Sequence, residues 1–413
     1  VRQPWYRRWF ASSTASQQVK ASPAFAMPAF QTFVHPPGRP VWMARDYGRF
    51  AEEAYIRNVI AHRAVQMVAE GAASVPFALY AIDPEGNRRR ITQHPLLKLL
   101  ARPNPITSGQ ALRQQLFSYR LIAGNAYLQA VAPRQQPPHE LYALRPDRVS
   151  IIAGNAGVPQ GYRYQMGNQY RDYPADALTG RSAILHLKNF HPLDDWYGLS
   201  PIESAAYSID QHNQAGAWNQ ALLQNGARPS GALVVKAGDH PGAMLNEEQY
   251  YRLKQQVEDQ FSGSANAGRP LLLEGGLDWK EMSLSPKDMD FIEAKHSSAR
   301  DIALAFGVPP QLLGIPGDNT YSNLQEARLS LWEQTILPLA EDYCMALNGW
   351  LIPQFPYEGG RLELVCDTDK VSALAYRREK VWERIAAADF LTTDEKRAAV
   401  GYGPLSDAAS GEG

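Results

Sequence analysis

Two stretches of the chain hold residues whose types and spacing could do chemistry. His186 and His191, with Asp194 and Asp195 beside them, bring two imidazoles and two carboxylates into ten positions. Those groups could ligate a metal or pass a proton in a hydrolase or transferase. The second stretch, "GVPPQLLGIPGDNTYSN" at 307–323, carries three glycines, three prolines, two asparagines and one aspartate. It could close over a site as a lid or cradle a phosphate.

Neither stretch completes a signature. The two histidines are five residues apart with Pro192 following, which is not a metal-ligand spacing, and "DDWYGLSP" has the composition of a turn feeding a helix. The loop lacks the lysine of a phosphate-binding motif and does not lead from a strand through a glycine turn into a helix. The chain also lacks a nucleophile elbow, a zinc-protease motif and a dinucleotide fingerprint. No catalytic, cofactor-binding or metal residue is nominated, no cofactor is expected, and the expectation is a protein that is not an enzyme. The alternative is a hydrolase or transferase with 307–323 as its lid and His186, His191 and Asp194 in its site.

Composition narrows the partners. Forty-one basic residues against 42 acidic give a formal charge of −1 over 413 residues, which argues against a free-standing basic grip on nucleic acid. No apolar run approaches the roughly 20 residues of a membrane span, so a soluble protein with no membrane partner is expected. Cys344 and Cys366 have neither metal-ligand nor redox-motif spacing and read as free thiols of a reducing compartment. "NRRR" at 87–90 reads as a solvated hairpin tip, and "RREKVWER" at 377–384 as an exposed helix face.

The elements that must position these residues are legible in outline. Residues 1–45 have six basic residues and no acidic one among Ser, Ala and Pro, as in a flexible arm. Residues 46–198 read as an α+β part, with helices early and a strand meander later. "SPIE" places Ser200 at an N-cap, Pro201 first and Glu203 third, a capping box with proline where it is tolerated. The helix of about 25 residues that follows has only Glu203 and Asp210 charged, and a thin apolar stripe of Ile202, Ala206, Ile209, Trp218 and Leu222. Such a helix is poorly explained by a single-chain core. Ser285, Pro286 and Asp288 repeat the device before a second helix to about Phe306. Between them lies a small α/β insert. After the loop, a long helix is interrupted by Pro338, which removes a donor and should kink it. A strand "RLELVCD" and helices at about 369–388 and 393–400 close the chain, ahead of a disordered tail.

The loop itself reads as irregular backbone. Pro309 and Pro310 end the preceding helix, Gly314 and Gly317 permit positive φ, and Asp318 and Asn319 suit turns. Fixing eight residues, Gly314 to Tyr321, costs roughly 8 to 16 kcal/mol, with Ile315 and Tyr321 as the only sizeable apolar anchors. A mobile segment is expected unless a partner holds it.

The ordered set "RPNP", "GNAYL", "YGLSPIESA", "NGARPSGALVV" and "NAGRPLLLEGGLDWKEMSLSPKDMDFIEAKHSSARDIALAFGVPPQLLG", ending in the kinked helix, resembles the portal protein family of long-tailed bacteriophages over roughly residues 46–400. Gene transfer agents use portals of the same kind, and the sequence does not separate the two. The resemblance implies a homo-oligomeric ring, usually a dodecamer, at a capsid vertex, assembled in the bacterial cytoplasm. Double-stranded DNA would pass through it, driven by the large terminase, and the major capsid protein and a head–tail adaptor would be further partners. It implies a wing at 46–198, stem helices at 199–228 and 285–307, and a clip at 229–284. The tunnel-loop region would be 308–322, the kinked helix and returning strand 323–366, and the crown with tail 367–413. Gly314, Ile315, Gly317, Asp318, Asn319, Thr320 and Tyr321 would form the tunnel loop in the DNA channel. The balanced charge suits a conduit, because neutralising about ten phosphates makes binding tight and strongly salt-dependent.

Overall fold

The computed structural model describes residues 46–400 apart from 134–135, 155–157, 177, 225–230, 236–246, 249–250, 253–254, 256–276, 282–290 and 317–320. Several expectations lie outside the described residues: the basic arm, the second cap at Ser285, Pro286 and Asp288, loop residues Gly317, Asp318, Asn319 and Thr320, most of the insert, and the tail.

Of the first four helices, α1 (Tyr47–Arg49), α2 (Val59–Ser74), α3 (Pro95–Ala101) and α4 (Gly109–Ala123), the two long ones, α2 and α4, organise the core. Ala61, Ala64, Ala69, Ala72 and Ala73 give α2 a buried small-residue face, and Gly71 lies so close to Ile336 that a β-carbon would meet its side chain. Asn58 starts α2, its Oδ1 accepting from the amides of Ile60 and Ala61. Ser108 caps α4 through Ala111 N, and Gly124, left-handed at φ 71°, ends it.

Three small antiparallel sheets accompany this pair. β3 (Asn125–Val131) is central between β4 (Glu140–Leu144) and β8 (Ile184–Lys188). A second sheet is β5 (Val149–Ile152), β6 (Gly161–Met166) and β7 (Gln169–Pro174) in sequence order, with Tyr127, Tyr162, Tyr173 and Ile184 in the core it shares with β3 and β8. The expected meander is therefore split, because β8 returns to the free side of β3. In the third sheet, β1 (Phe77–Ile82) lies between β2 (Arg88–Ile91) and β11 (Arg361–Cys366). "NRRR" is thus not a hairpin tip but mostly a paired strand. Arg88 reaches Glu363 at 2.8 Å and Arg90 reaches Asp367 at 2.6 Å, across β1 to residues over 270 positions away.

The expected first strut is interrupted near its start. A single turn, α5 (Pro201–Ser204), passes through Ala205 into α6 (Ala206–Gln224). Its partner α7 (Phe291–Ala305) packs along α6. Of the insert, β9 (Gly231–Val235) and β10 (Leu277–Glu281) are described, and they pair with each other in one antiparallel ribbon.

The interrupted long helix is α8 (Tyr321–Leu331), a π-helical turn at Trp332–Ile336, and α9 (Leu337–Trp350), with Pro338 at the start of α9. The proline therefore changes the helix type in the turn before it. Proline offers no N–H to the carbonyl four residues back and its ring crowds that carbonyl, and a wider turn accommodates both. Among its buried residues, Ala327, Leu331, Ile336, Ala340, Tyr343 and Leu347 follow one face. The step from Leu331 to Ile336 is the five-residue one. Toward the C-terminus, Val371 is extended and buried, so the helix expected from 369 begins later, as α10 (Ala375–Ala386). Thr392 and Glu395 close a capping box on α11 (Thr393–Ala399).

Candidate channel and assembly sites

Two motifs far apart in sequence interlock at the base of the strut. Asn125, at the start of β3, donates from Nδ2 to Ala123 O (2.8 Å) and Gly198 O (3.2 Å). Its Oδ1 accepts from Gly198 N (2.7 Å) and faces His186 Nε2 (2.9 Å). Gly124 and Gly198 touch backbone to backbone, so that a β-carbon on either would sit on the carbonyl of the other. Ser200 Oγ accepts from Ile202 N at 3.1 Å, capping α5, and donates to Ile122 O at 2.6 Å, tying the cap to the end of α4. Ile202, Ala205, Ala206 and Ile209 then bury the first turns of the strut in the main core.

This arrangement uses up the residues of the enzyme alternative. His186 is stacked on Tyr127 at 4.5 Å, its ring edge faces Tyr162, and Nε2 is engaged by Asn125. Burial first, then Lys188 and Arg120, push its pKa down to about 3. It is a neutral packing residue near pH 7. His191 Nδ1 accepts from Leu193 N, and Asp194 Oδ1 accepts from the amides of Trp196 and Tyr197, so both build the turn that delivers Gly198. Among the described residues no group of three His, Cys, Asp or Glu side chains could hold a metal ion. No described helix is long and apolar enough to cross a membrane.

Past its buried base, α6 is held by polar side chains. Asn58, already capping α2, donates from Nδ2 to Asn213 Oδ1 at 2.9 Å and lies 3.2 Å from His212 Nδ1. Asn213 donates to Glu53 O, Ser298 Oγ to Gln211 Oε1 at 3.3 Å, and Ser208 Oγ to Asp301 Oδ2 at 3.2 Å. His212 is pushed below its ordinary pKa by burial and then by Lys295. Sequence reasoning missed Asn58 as a hub; an asparagine before the apolar run "VIAHRAV" was the available signal.

The loop after α7 begins in a tightly defined way. Gly307 N donates to Leu304 O and Val308 N to Ala303 O, with Gly307 at φ 63°, a Schellman stop. Thr335, in the π turn, donates from Oγ1 to Gly307 O at 2.8 Å. Residues Pro310–Leu313 form a 3₁₀ turn that ends at Gly314, φ 72°. Ile315 is 4% exposed and packs on Ala299 and Ala303, while Arg300 donates to Pro316 O at 2.8 Å. Gly314 and Ile315, expected in the freely moving segment, are fastened to α7 because the isoleucine fills an apolar notch. Tyr321 opens α8.

Comparison with known proteins places the chain. Residues 60–401 match the family model described as phage portal protein. An uncharacterized protein of Rickettsia bellii (strain RML369-C) is 45% identical over 362 residues, covering 88% of this chain and 91% of the relative. A chain solved in the virion of a native gene transfer agent particle is 44% identical, with TM-score 0.67 and coverage of 89% of this chain and 96% of that one. A chain solved in the neck of a native gene transfer agent particle computed with C12 symmetry is 43% identical, with TM-score 0.66 and the same coverage. A match that runs through the small sheets, both struts and the interrupted helix extends over most of the fold, and the chain belongs to the phage portal protein family.

Proposed function

We propose that this chain is the portal subunit of a phage-like particle, a head-to-tail connector that admits DNA during packaging and releases it on ejection. The observation that carries this reading is the likeness, at 43–44% identity over nearly the whole of each relative, to chains of the virion and neck of a gene transfer agent particle. Twelve-fold symmetry in that neck supports a ring of twelve copies here. Double-stranded DNA would pass along the axis while a separate large terminase supplies the energy. The major capsid protein and a head–tail adaptor would dock on the outside, at a capsid vertex of a particle assembled in the bacterial cytoplasm. The protein would be a conduit and not an enzyme.

Within this reading, 46–198 is the wing, 199–228 and 285–307 are the stem helices, 229–284 is the clip, 323–366 is the kinked helix with its returning strand, and 367–413 is the crown and tail. Ser200, Pro201 and Glu203 start the first stem helix, and Ser285, Pro286 and Asp288 the second. The polar seam along α6 favours a helix whose remaining faces meet neighbouring copies. Gly317, Asp318, Asn319, Thr320 and Tyr321 form the tunnel loop, with Gly314 and Ile315 as its fixed root. A mostly uncharged loop brushes DNA without binding a row of phosphates. Deleting residues 317–320 is expected to leave ring assembly intact, seen by electron microscopy, and to lower the DNA content of particles. Normal DNA content in particles carrying the deletion would overturn the loop assignment.

A further inference from the structure

Cys344 and Cys366 have no spacing that marks them as a pair, yet their Sγ atoms lie 3.5 Å apart. The contact is built into the packing. Asn348, one turn beyond Cys344 on α9, holds both backbone groups of Leu364: Nδ2 donates to Leu364 O at 2.7 Å, and Oδ1 accepts from Leu364 N at 2.8 Å. Four residues of helix advance about 6 Å and two residues of strand about 7 Å. Since α9 runs from 344 to 348 as β11 runs back from 366 to 364, that clamp fixes the register that sets the thiols face to face.

Their surroundings are also unusual. Cys344 is 3% exposed, whereas Cys366, at the end of β11, is only half-buried. Arg113 comes in from α4. Its Nε and Nη2 both donate to Ala73 O, at 3.1 and 2.7 Å, and its guanidinium carbon lies 4.7 Å from the centre of the Phe77 ring. Phe77 is the β1 partner of Cys366. Arg113 makes no ion pair with a carboxylate among the described residues, and its charge acts on both thiols. A half-buried cation bonded only to a carbonyl lacks a counter-charge, and a thiolate is the anion at hand.

We propose that Cys344 and Cys366 form a modification site, a dithiol closed to an intrachain disulfide by exchange with a low-molecular-weight disulfide, with Cys366 attacking, Cys344 resolving and Arg113 balancing the thiolate charge. The Cys366 thiolate attacks one sulfur of the reagent, forming a mixed disulfide and expelling one thiolate. Cys344 then loses its proton and attacks Cys366 Sγ, expelling the second. The protein gives up two electrons and two protons, the reagent's S–S bond is reduced, and the protons end on the released thiols. The Cys344 S–H first, and Arg113 last, hold Cys366 below the usual thiol pKa against its burial and the carboxylate of Glu341, and the same contact with burial pushes Cys344 up. This fits the order of the two steps. Closing the bond shortens the S–S distance from 3.5 Å to about 2.0 Å. The timing of closure rests on the portal reading, because a particle assembled inside a reducing cell and then released meets an oxidising medium. The chemistry does not.

The test uses the full-length reduced protein, oxidised glutathione, alkylation of remaining thiols and peptide mass mapping. A Cys344–Cys366 cross-linked peptide is expected as the main product. Cys344→Ser is expected to trap glutathione on Cys366, and Cys366→Ser to leave Cys344 unmodified. Arg113→Met should slow exchange about tenfold, with Arg113→Lys recovering most of the rate because the charge is kept. A stable glutathione adduct on Cys366 of the unaltered chain, or thiols that react only in denaturant, would overturn the proposal. Either result leaves the ring and DNA-content measurements untouched.

Discussion

The base of the first strut and its shaft are held by different kinds of bond. At the base, Asn125 and Ser200 bond to backbone groups, Gly124 and Gly198 meet without side chains, and His186 is stacked on Tyr127. Along the shaft, α6 meets its neighbours largely through side chain to side chain bonds such as Ser298–Gln211 and Ser208–Asp301, at 3.2–3.3 Å and partly exposed. Backbone partners cannot change rotamer, whereas hydroxyls and amides can re-pair over a small slide. The strut is thus held by backbone groups where it enters the core and mainly by side chains beyond, an arrangement that tolerates a small slide of the shaft better than one of the base.

The sharpest way to break this contrast is Gly198→Ala. The new β-carbon would meet Gly124 O and lie 2.6 Å from Asn189 N, so rigid backbone must move. A loss of about 3 kcal/mol in denaturant unfolding is expected, with ring formation impaired. A loss under 0.5 kcal/mol would show that the base is as adaptable as the shaft.

The next effect is in pH. The folded pKa of His186 is about 3, below the ordinary imidazole value near 6.5, so between these values the unfolded chain binds the extra proton. The contribution of the buried neutral ring is complete above pH 6.5 and is lost as pH falls toward 3, at about 1.4 kcal/mol per pH unit at most. Thermal unfolding from pH 7 to 4 should show this slope, and His186→Gln should flatten it. An unchanged slope in the variant would locate the acid sensitivity elsewhere.

The smallest effect belongs to the shaft. Ser298→Ala removes one 3.3 Å bond and is expected to cost about 0.5 kcal/mol or less, because Gln211 lies where water can replace the hydroxyl. A loss comparable to that of Gly198→Ala would erase the distinction.

What the sequence revealed and concealed follows from the range of the interactions. The cap at Ser200 and the end of the helix near Phe306 were legible because their chemistry is confined to a few consecutive residues, although the cap takes the amide of Ile202 and the stop is made by Gly307 ahead of the two prolines expected to make it. The kink at Pro338 was legible, but the π turn was not, since it shows only as a five-residue step in the buried face from Leu331 to Ile336. Arg88–Arg90 were misplaced because their partners, Glu363 and Asp367, lie at the far end of the chain. His186 had no assigned role because its real partners, Asn125 and Tyr127, are on a strand some 60 residues earlier. The dithiol was hidden for the same reason, its register being set by an asparagine on neither cysteine's motif.

The π turn before Pro338 behaves as a dislocation in a one-dimensional lattice. One extra residue is stored between two regular α-helical runs, and it shifts the angular phase of everything beyond it by about 100°. Thr335 faces the end of the second strut from within that defect, while Ile336, at its edge, keeps its place against Gly71. The end of α7 and the face of α2 are therefore held in phase through a single stored residue.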